Sequence, residues 1–382
     1  MDVFKCAERS VQTSFHMLDI RYVQACLYGG IDQAGEISEH LTALNDERKA
    51  TQALIISCIA KSCLFKLINI MIYCDYNVIL YEGKELCLML QTSKPMSVSK
   101  IAIVTDSTSD LAPEMIKEFG IEIIPLHVVY KDREYLDGVN ITPDEVYNNM
   151  DIEVPTTSLP SPSEISNLFN RLRDANVTHV LSMHISSGLS GTYETVCQVA
   201  QEYKEMDIEV LDSKALSMGL GFSVLEAARK LRNTSDFQSV INVAKTASQH
   251  TKLYFVLSTL EYLKRGGRIG YVSGTIGELL NIKPIISVNS EGKYITSAKV
   301  RGRDQSLKKL YDILTESTEV GRYNVAIVHG GAEQEARNLW QKARELPNIN
   351  DLLFNQIGPV MGVHTGPGLV GIIISPVIPP QS

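Results

Sequence analysis

The sequence predicts an α/β protein of two domains, the first on a parallel sheet and the second mixed, behind an unrelated N-terminal extension. Three observations carry that prediction. From residue 100 onward, continuous apolar strands alternate with amphipathic helices, the grammar of a parallel sheet covered on both faces. After Thr251, two apolar runs flank Asn289-Ser290-Glu291-Gly292, a hairpin signal foreign to an all-parallel sheet. Before residue 95 the composition is different: it holds six of the seven cysteines, an apolar run over residues 53–74, and a polar helix-like segment over residues 36–50.

The join Ser93-Lys94-Pro95-Met96-Ser97 reads as a linker, and Met96 stands four residues before the first strand. Residues 1–95 are therefore expected to be an appended segment of unknown role, a fused remnant or an over-extended start. Lys61, Lys66 and Asn69 interrupt the apolar run, so it is expected to be a buried or interfacial helix rather than a membrane span. Residues 96–250 make the first domain. Residues 100–105 form its first strand, and 113–120 a short helix with proline at its start and glycine after it. A second strand covers 121–130, and helices follow from near Pro143 and over 163–175. The strand 178–184 leads into a helix from about Ser190, and the strand 208–211 into helices up to His250. Residues 251–382 make the second domain: a strand at 253–257, helices, the hairpin 284–288 with 294–300, a helix, a strand at 324–329, a helix, and strands at 353–357 and 369–375.

Hydrophobic residues at 44% and charged residues at 21% allow a sizeable core without disulfides or structural metal. A formal net charge of -8 argues against a nucleic-acid binder, whose phosphate contacts favour an excess of Lys and Arg. No CxxC pair or Cys/His zinc spacing occurs, so a reduced, cytoplasmic protein without bound metal is expected. Cys197 then reads as a small apolar residue on a helix. Met1-Asp2-Val3-Phe4-Lys5 is not followed by the continuous apolar core of a signal peptide.

Five polar constellations interrupt this framework. Thr105-Asp106-Ser107-Thr108-Ser109-Asp110 follows the first strand, where open α/β sheets bind ligands; Asp106 is a candidate nucleophile or metal ligand, or a turn and cap residue. Three prolines stiffen Val154-Pro155-Thr156-Thr157-Ser158-Leu159-Pro160-Ser161-Pro162, holding hydroxyls that can donate to an anion or merely cap the next helix. His184-Ile185-Ser186-Ser187-Gly188-Leu189-Ser190-Gly191-Thr192 joins a strand to a helix; its small residues let backbone N–H groups approach an anion, without a Walker lysine or a nucleophile elbow. Arg268, among the glycines of Lys264-Arg265-Gly266-Gly267-Arg268-Ile269-Gly270, points a guanidinium at a carboxylate or lies on a solvated turn. In Val363-His364-Thr365-Gly366-Pro367-Gly368 a loop histidine can hydrogen-bond an acid or be structural.

In this order, TDSTSDL, TTSLPSP, ISSGLSGTY, LKRGGRIG, KVRGR and HTGPG resemble the DegV family of bacterial lipid-binding proteins, over residues 99–376. The resemblance implies two α/β domains with a long-chain fatty acid between them, and, as in several members, a separate fatty-acid kinase that phosphorylates the bound carboxylate. It implies that Thr157 holds the carboxylate, with Ser190 and its competitor Ser187, Arg268 and His364; Ser158, Gly191, Thr192 and Thr365 complete the ligand-binding set. Arg301 and Arg303 match a basic segment expected to meet the kinase. Leu159 departs from the polar residue often found there, and residues 276–280 and 282–286 are candidates to line the tail tunnel. No cofactor beyond the fatty acid, no nucleic acid and no stable membrane insertion are expected. The competing reading is an enzyme: an aspartyl phosphatase using Asp106, which would lack the usual second acid because Thr108 stands there, or a hydrolase using Ser190 with His184 or His364 as base. Carriage without chemistry is the favoured expectation.

Overall fold

The computed structural model describes residues 70–74, 77–81, 100–275 and 281–378, in a chain that divides into two compact units, 1–97 and 98–382. In the first unit, β1 (Ile70–Cys74) pairs antiparallel with β2 (Asn77–Tyr81). The end of the apolar run expected to be helical is therefore a strand. Ile70-Met71-Ile72-Tyr73 is β-branched and aromatic, and it finds a partner of the same kind only two residues on. The rest of that run and the 36–50 segment lie outside the described residues.

The second unit opens with β3 (Ile101–Asp106), a 3-10 turn (Ser107–Ser109), α1 (Pro113–Phe119) and β4 (Glu122–Ile124). Pro113 starts α1, and Gly120 ends it in the left-handed region at φ 63. β5 (His127–Val129), β6 (Glu134–Leu136), α2 (Pro143–Asn149), β7 (Thr156–Ser158) and α3 (Pro162–Asp174) follow. Then come β8 (His179–His184), α4 (Thr192–Ala200), β9 (Asp207–Asp212), α5 (Met218–Leu231) and α6 (Phe237–His250). β4, β3, β8 and β9 form a four-stranded sheet in that order, and every pairing in it is parallel.

The run 121–130 is not one strand. Pro125 carries no N–H for a ladder, and the next amide, Leu126 N, donates to Ser107 Oγ at 3.0 Å. The chain leaves the parallel sheet there, and β5 enters a three-stranded antiparallel sheet of order β6-β5-β7. β7 is the proline-flanked hydroxyl segment, here recruited as a strand.

The remainder is β10 (Lys252–Val256), α7 (Glu261–Arg265), a 3-10 segment (Gly270–Thr275), β11 (Ile282–Val288), β12 (Tyr294–Arg301) and α8 (Arg303–Val320). β13 (Tyr323–Gly330), α9 (Glu333–Ala343), β14 (Ile349–Gln356), α10 (Pro359–Thr365) and β15 (Leu369–Pro376) complete it. The six strands run in the order β12-β11-β10-β15-β13-β14; β13 and β14 are parallel and the other neighbours antiparallel. α10 is a departure, since its residues read as loop; Pro359 at its start and Gly366 after it delimit seven helical residues. The largest core joins the two large sheets through α5, which buries every residue from Met218 to Leu225. Leu181 and Met183 of β8 meet Phe222 of α5, Phe255 of β10 and Ile373 of β15 in that core. A helix apolar on all sides is stable only as such a centre.

Candidate functional site

β7 is laid beside β5 with Thr157 opposite Val128. Side chains alternate along a strand, so Thr157 turns inward, half-buried, while Thr156 and Ser158 are exposed on the other face. Thr157 Oγ1 lies 2.8 Å from Nε2 of His364. That histidine is carried by α10, 207 residues later in the chain. Gly266 makes room for the ring, because a Cβ there would collide with it. Burial, aided by the Arg268 cation, pushes His364 down to about 4, so it is neutral at neutral pH. Its Nδ1 is buried without a hydrogen-bond partner.

The serine-rich loop after β8 is folded by its own hydroxyls. Ser186 Oγ donates to Gly292 O at 2.9 Å and accepts from Gly188 N, and Ser190 N donates to Ser186 O. Ser190 Oγ sits 2.8 Å from Thr192 Oγ1, beside the start of α4. Gly191 comes close enough to Leu159 that a Cβ there would stand 3.4 Å from its Cδ2, so this loop meets the β7 segment. Arg268 ties the third segment in: its Nε donates to Leu189 O at 3.1 Å and its Nη1 to Gly266 O at 2.6 Å. The fold thus gathers Thr157, Ser190, Gly191, Thr192, Arg268 and His364 into one place.

Other expected residues stand elsewhere. Ser187 is turned toward the end of β9, its Oγ accepting from Lys214 Nζ at 2.8 Å and its N–H donating to Asp212 Oδ1. Ser158 faces outward, because adjacent strand residues cannot both point inward. Thr365 is buried with its hydroxyl donating to Met361 O at 2.9 Å, which makes it a wall rather than a donor. Arg301 is exposed at the end of β12, whereas Arg303 is held by Glu335 of α9 through Nε at 3.1 Å and through Nη2. Cys197 is half-buried on α4.

A narrow cavity of about 20 Å³ lies on the inner face of the six-stranded sheet. Leu253 and Phe255 of β10, Ile373 of β15, Leu216 before α5, and Met361 and Thr365 of α10 line it. Met361 and Thr365, which line it, belong to α10, the same short helix that carries His364. Of the residues expected to line a tail tunnel, Pro284, Ile285 and Ile286 are buried in β11 and do not line this cavity, and 276–280 lie outside the described residues.

Asp106 is fully buried and fully engaged. Its Oδ1 accepts from Thr108 N and Oγ1, and its Oδ2 accepts from Ile185 N at 2.9 Å and faces His184 Nδ1 at 3.0 Å. His184 Nε2 in turn lies 2.7 Å from Ser182 Oγ. This Asp–His–Ser chain has the connectivity of a hydrolase relay, yet all three residues have no exposed surface for a substrate to reach. The Ser190 hydroxyl pairs with Thr192, while His184 is held by Asp106 and Ser182 and His364 pairs with Thr157. No cluster of metal-ligating side chains occurs among the described residues.

The family model for DegV, described as an uncharacterised protein family, matches residues 100–377. A DegV domain-containing protein of Clostridium acetobutylicum is 43% identical over 278 residues, 72% of this chain and 99% of the relative. Among solved structures, a fatty-acid-binding DegV family protein from Thermus thermophilus superposes with a TM-score of 0.69 at 32% identity, over 73% of this chain and 100% of that one. DegV of Bacillus subtilis, described as a fatty acid binding protein, gives 0.68 at 28% identity, with the same shares. A stearic-acid-binding protein from Eubacterium ventriosum gives 0.66 at 26% identity, over 72% of this chain and 98% of its own.

Proposed function

The chain belongs to the DegV family, and from that membership and its site geometry we propose that it binds one long-chain fatty acid. The observation that carries this reading is the Thr157–His364 hydrogen bond, made by α10, whose Met361 and Thr365 also line an apolar cavity. Thr157 donates its hydroxyl to the ligand carboxylate and accepts from Nε2–H of the neutral His364. Arg268, the cation beside them, offsets the charge. A buried carboxylate costs several kcal/mol unless it is hydrogen-bonded, and these groups supply that bonding.

The tail dominates affinity. Each buried methylene contributes about 0.8 kcal/mol, so a tail of roughly fifteen yields about 12 kcal/mol gross. One head-group hydrogen bond adds about 1–2 kcal/mol and fixes orientation. A cavity of about 20 Å³ is too narrow for such a tail, so the walls from α10 and from the start of α5 part from the sheet to admit it.

The protein performs no chemistry on the acid itself but presents the carboxylate, in the cytoplasm, to a separate fatty-acid kinase that converts it to acyl-phosphate. Arg301, exposed at the end of β12, is the docking contact, and Arg303 supports it from its ion pair with Glu335. No helix among the described residues is long and apolar enough to cross a membrane.

Mass spectrometry of an organic extract of the purified protein is expected to show one dominant long-chain fatty acid. Equilibrium binding of a fluorescent fatty acid should weaken about tenfold in Thr157→Ala and in Ser190→Ala, as one lost hydrogen bond implies. Arg301→Glu should slow kinase-coupled turnover with lipid affinity unchanged. A lipid-free extract together with unchanged binding in both alanine variants would sink the reading.

A further inference from the structure

Beneath α10 lies a buried acidic pair that the head-group site does not use. Asp110 Oδ1 accepts from Gly358 N at 2.8 Å, and Asp137 Oδ1 accepts from Val360 N at 3.1 Å. The two carboxylates converge: a Cβ at Gly358 would lie 3.1 Å from Asp110 Oδ1 and within 3.5 Å of both Asp137 oxygens. Asn355 Nδ2 adds a bond to the Asp110 carbonyl at 3.0 Å. Asp110 Oδ2 and Asp137 Oδ2 are buried, and the Ser217 and Ser107 hydroxyls face the two carboxyls. Two of these residues also hold costly backbone conformations, Asp110 at φ 50 and Ser217 at φ 51.

Resting on the fatty-acid reading of the site, we propose that Asp110 and Asp137 together clamp the first turn of α10 while Asp110 holds a proton, positioning His364 for the ligand head group. Two carboxylates buried near one another are costly, and a proton on one of them removes the repulsion. The groups facing the pair agree. Asp106 on β3 faces both carboxyls, Tyr147 on α2 and Tyr294 on β12 face Asp110, and Ser217 and Ser107 stand beside Asp110 and Asp137 respectively. The charged neighbours that shift the two carboxyls are themselves carboxylates. Burial first, and these like charges in addition, push Asp110 up to about 7 and Asp137 up to about 6. The Asp110 proton is held below about pH 7 and lost above it. What depends on it is local: α10 carries His364 and the cavity residues Met361 and Thr365, and Ser217 lines the same cavity. When the proton leaves, two adjacent buried anions repel and the turn they hold loosens.

The test measures binding of a fluorescent C18 fatty acid from pH 6 to pH 8.5 in the full chain. The wild type is expected to lose at least about fivefold in affinity across that range. Asp110→Asn keeps the acceptor for Gly358 N and carries no charge at any pH, so its affinity should match the wild type at pH 6 and change less than about twofold with pH. Asp110→Ala should bind weakly throughout, and if it fails to fold the asparagine variant decides alone. The second readout needs no ligand: the ring 15N shifts of His364, which titrates far below this range, should move between pH 6 and pH 8 in the wild type and stay fixed in Asp110→Asn. Equal pH profiles in wild type and Asp110→Asn, by binding and by ring shifts, would overturn the clamp. Absence of fatty-acid binding at every pH would overturn the ligand reading instead, with the His364 shifts still deciding the clamp.

Discussion

At Gly266 a single methyl group decides where His364 sits. The residue has an ordinary φ of -74, so alanine suits the backbone; what it lacks is room, because its Cβ would collide with the imidazole. Gly266→Ala is therefore expected to push His364 off Thr157 and weaken fatty-acid binding about tenfold, near 1.4 kcal/mol, with the thermal midpoint little changed. The neighbouring Gly267→Ala is the control. Its φ of 71 strains alanine but nothing stands within 4 Å, so it should cost about 1 kcal/mol of stability and leave affinity alone. Calorimetric binding and denaturant melts of the pair separate the two effects. At this scale the motifs that hold Thr157, Ser190, Arg268 and His364 were legible, because each is a short run of distinctive residues. The outward facing of Ser158 was not, because it depends on β7 being a strand. Asp137 offered no signal at all, lying in the unremarkable turn Leu136-Asp137-Gly138.

Among the elements, β7 and α3 act together. Ser161 caps α3 in a capping box with Glu164: its hydroxyl accepts from Glu164 N, and its own N–H donates to Glu164 Oε2 at 2.8 Å. Glu164 also faces His127 of β5 at 3.1 Å, which fastens the three-stranded sheet to that helix. Ser161→Ala should lower unfolding stability by about 1 kcal/mol, read from the urea midpoint. Affinity should stay within about twofold, since His364 and β5 still hold Thr157; a tenfold loss would mean that the cap itself sets the site. Helix starts with proline, serine or threonine were readable from sequence, as at α1, α2 and α3. The seven residues of α10 were too few to show a period, and the break at Pro125 passed as one strand because residues on both sides are apolar.

For the molecule as a whole, the family match begins at residue 100, and the 278 residues matched to the Clostridium acetobutylicum relative cover 99% of that relative. The second unit, 98–382, contains both large sheets and every residue of the head-group site. A chain starting at Met96 is accordingly expected to unfold cooperatively and to bind fatty acid with the affinity of the full chain. Differential scanning calorimetry and lipid binding on the two proteins make the comparison, and a non-cooperative transition in the shorter one would show that the fold depends on the first 95 residues.

By itself the sequence determined the fold class, most elements of the second unit in order, and the polar loops that end several of its strands. These are written in short windows, where propensity, periodicity and turn residues act on near neighbours. Only the tertiary structure decided which loops meet. It set Thr157 against a histidine 207 residues away, turned Ser187 toward Lys214, and tied Arg303 to Glu335. It also drew the walls of the cavity from β10, β15 and α10, and brought Asp110 and Asp137 to the first turn of α10. The reason is physical: contacts between distant segments follow from how sheets close over a shared core, and no local window encodes that closure.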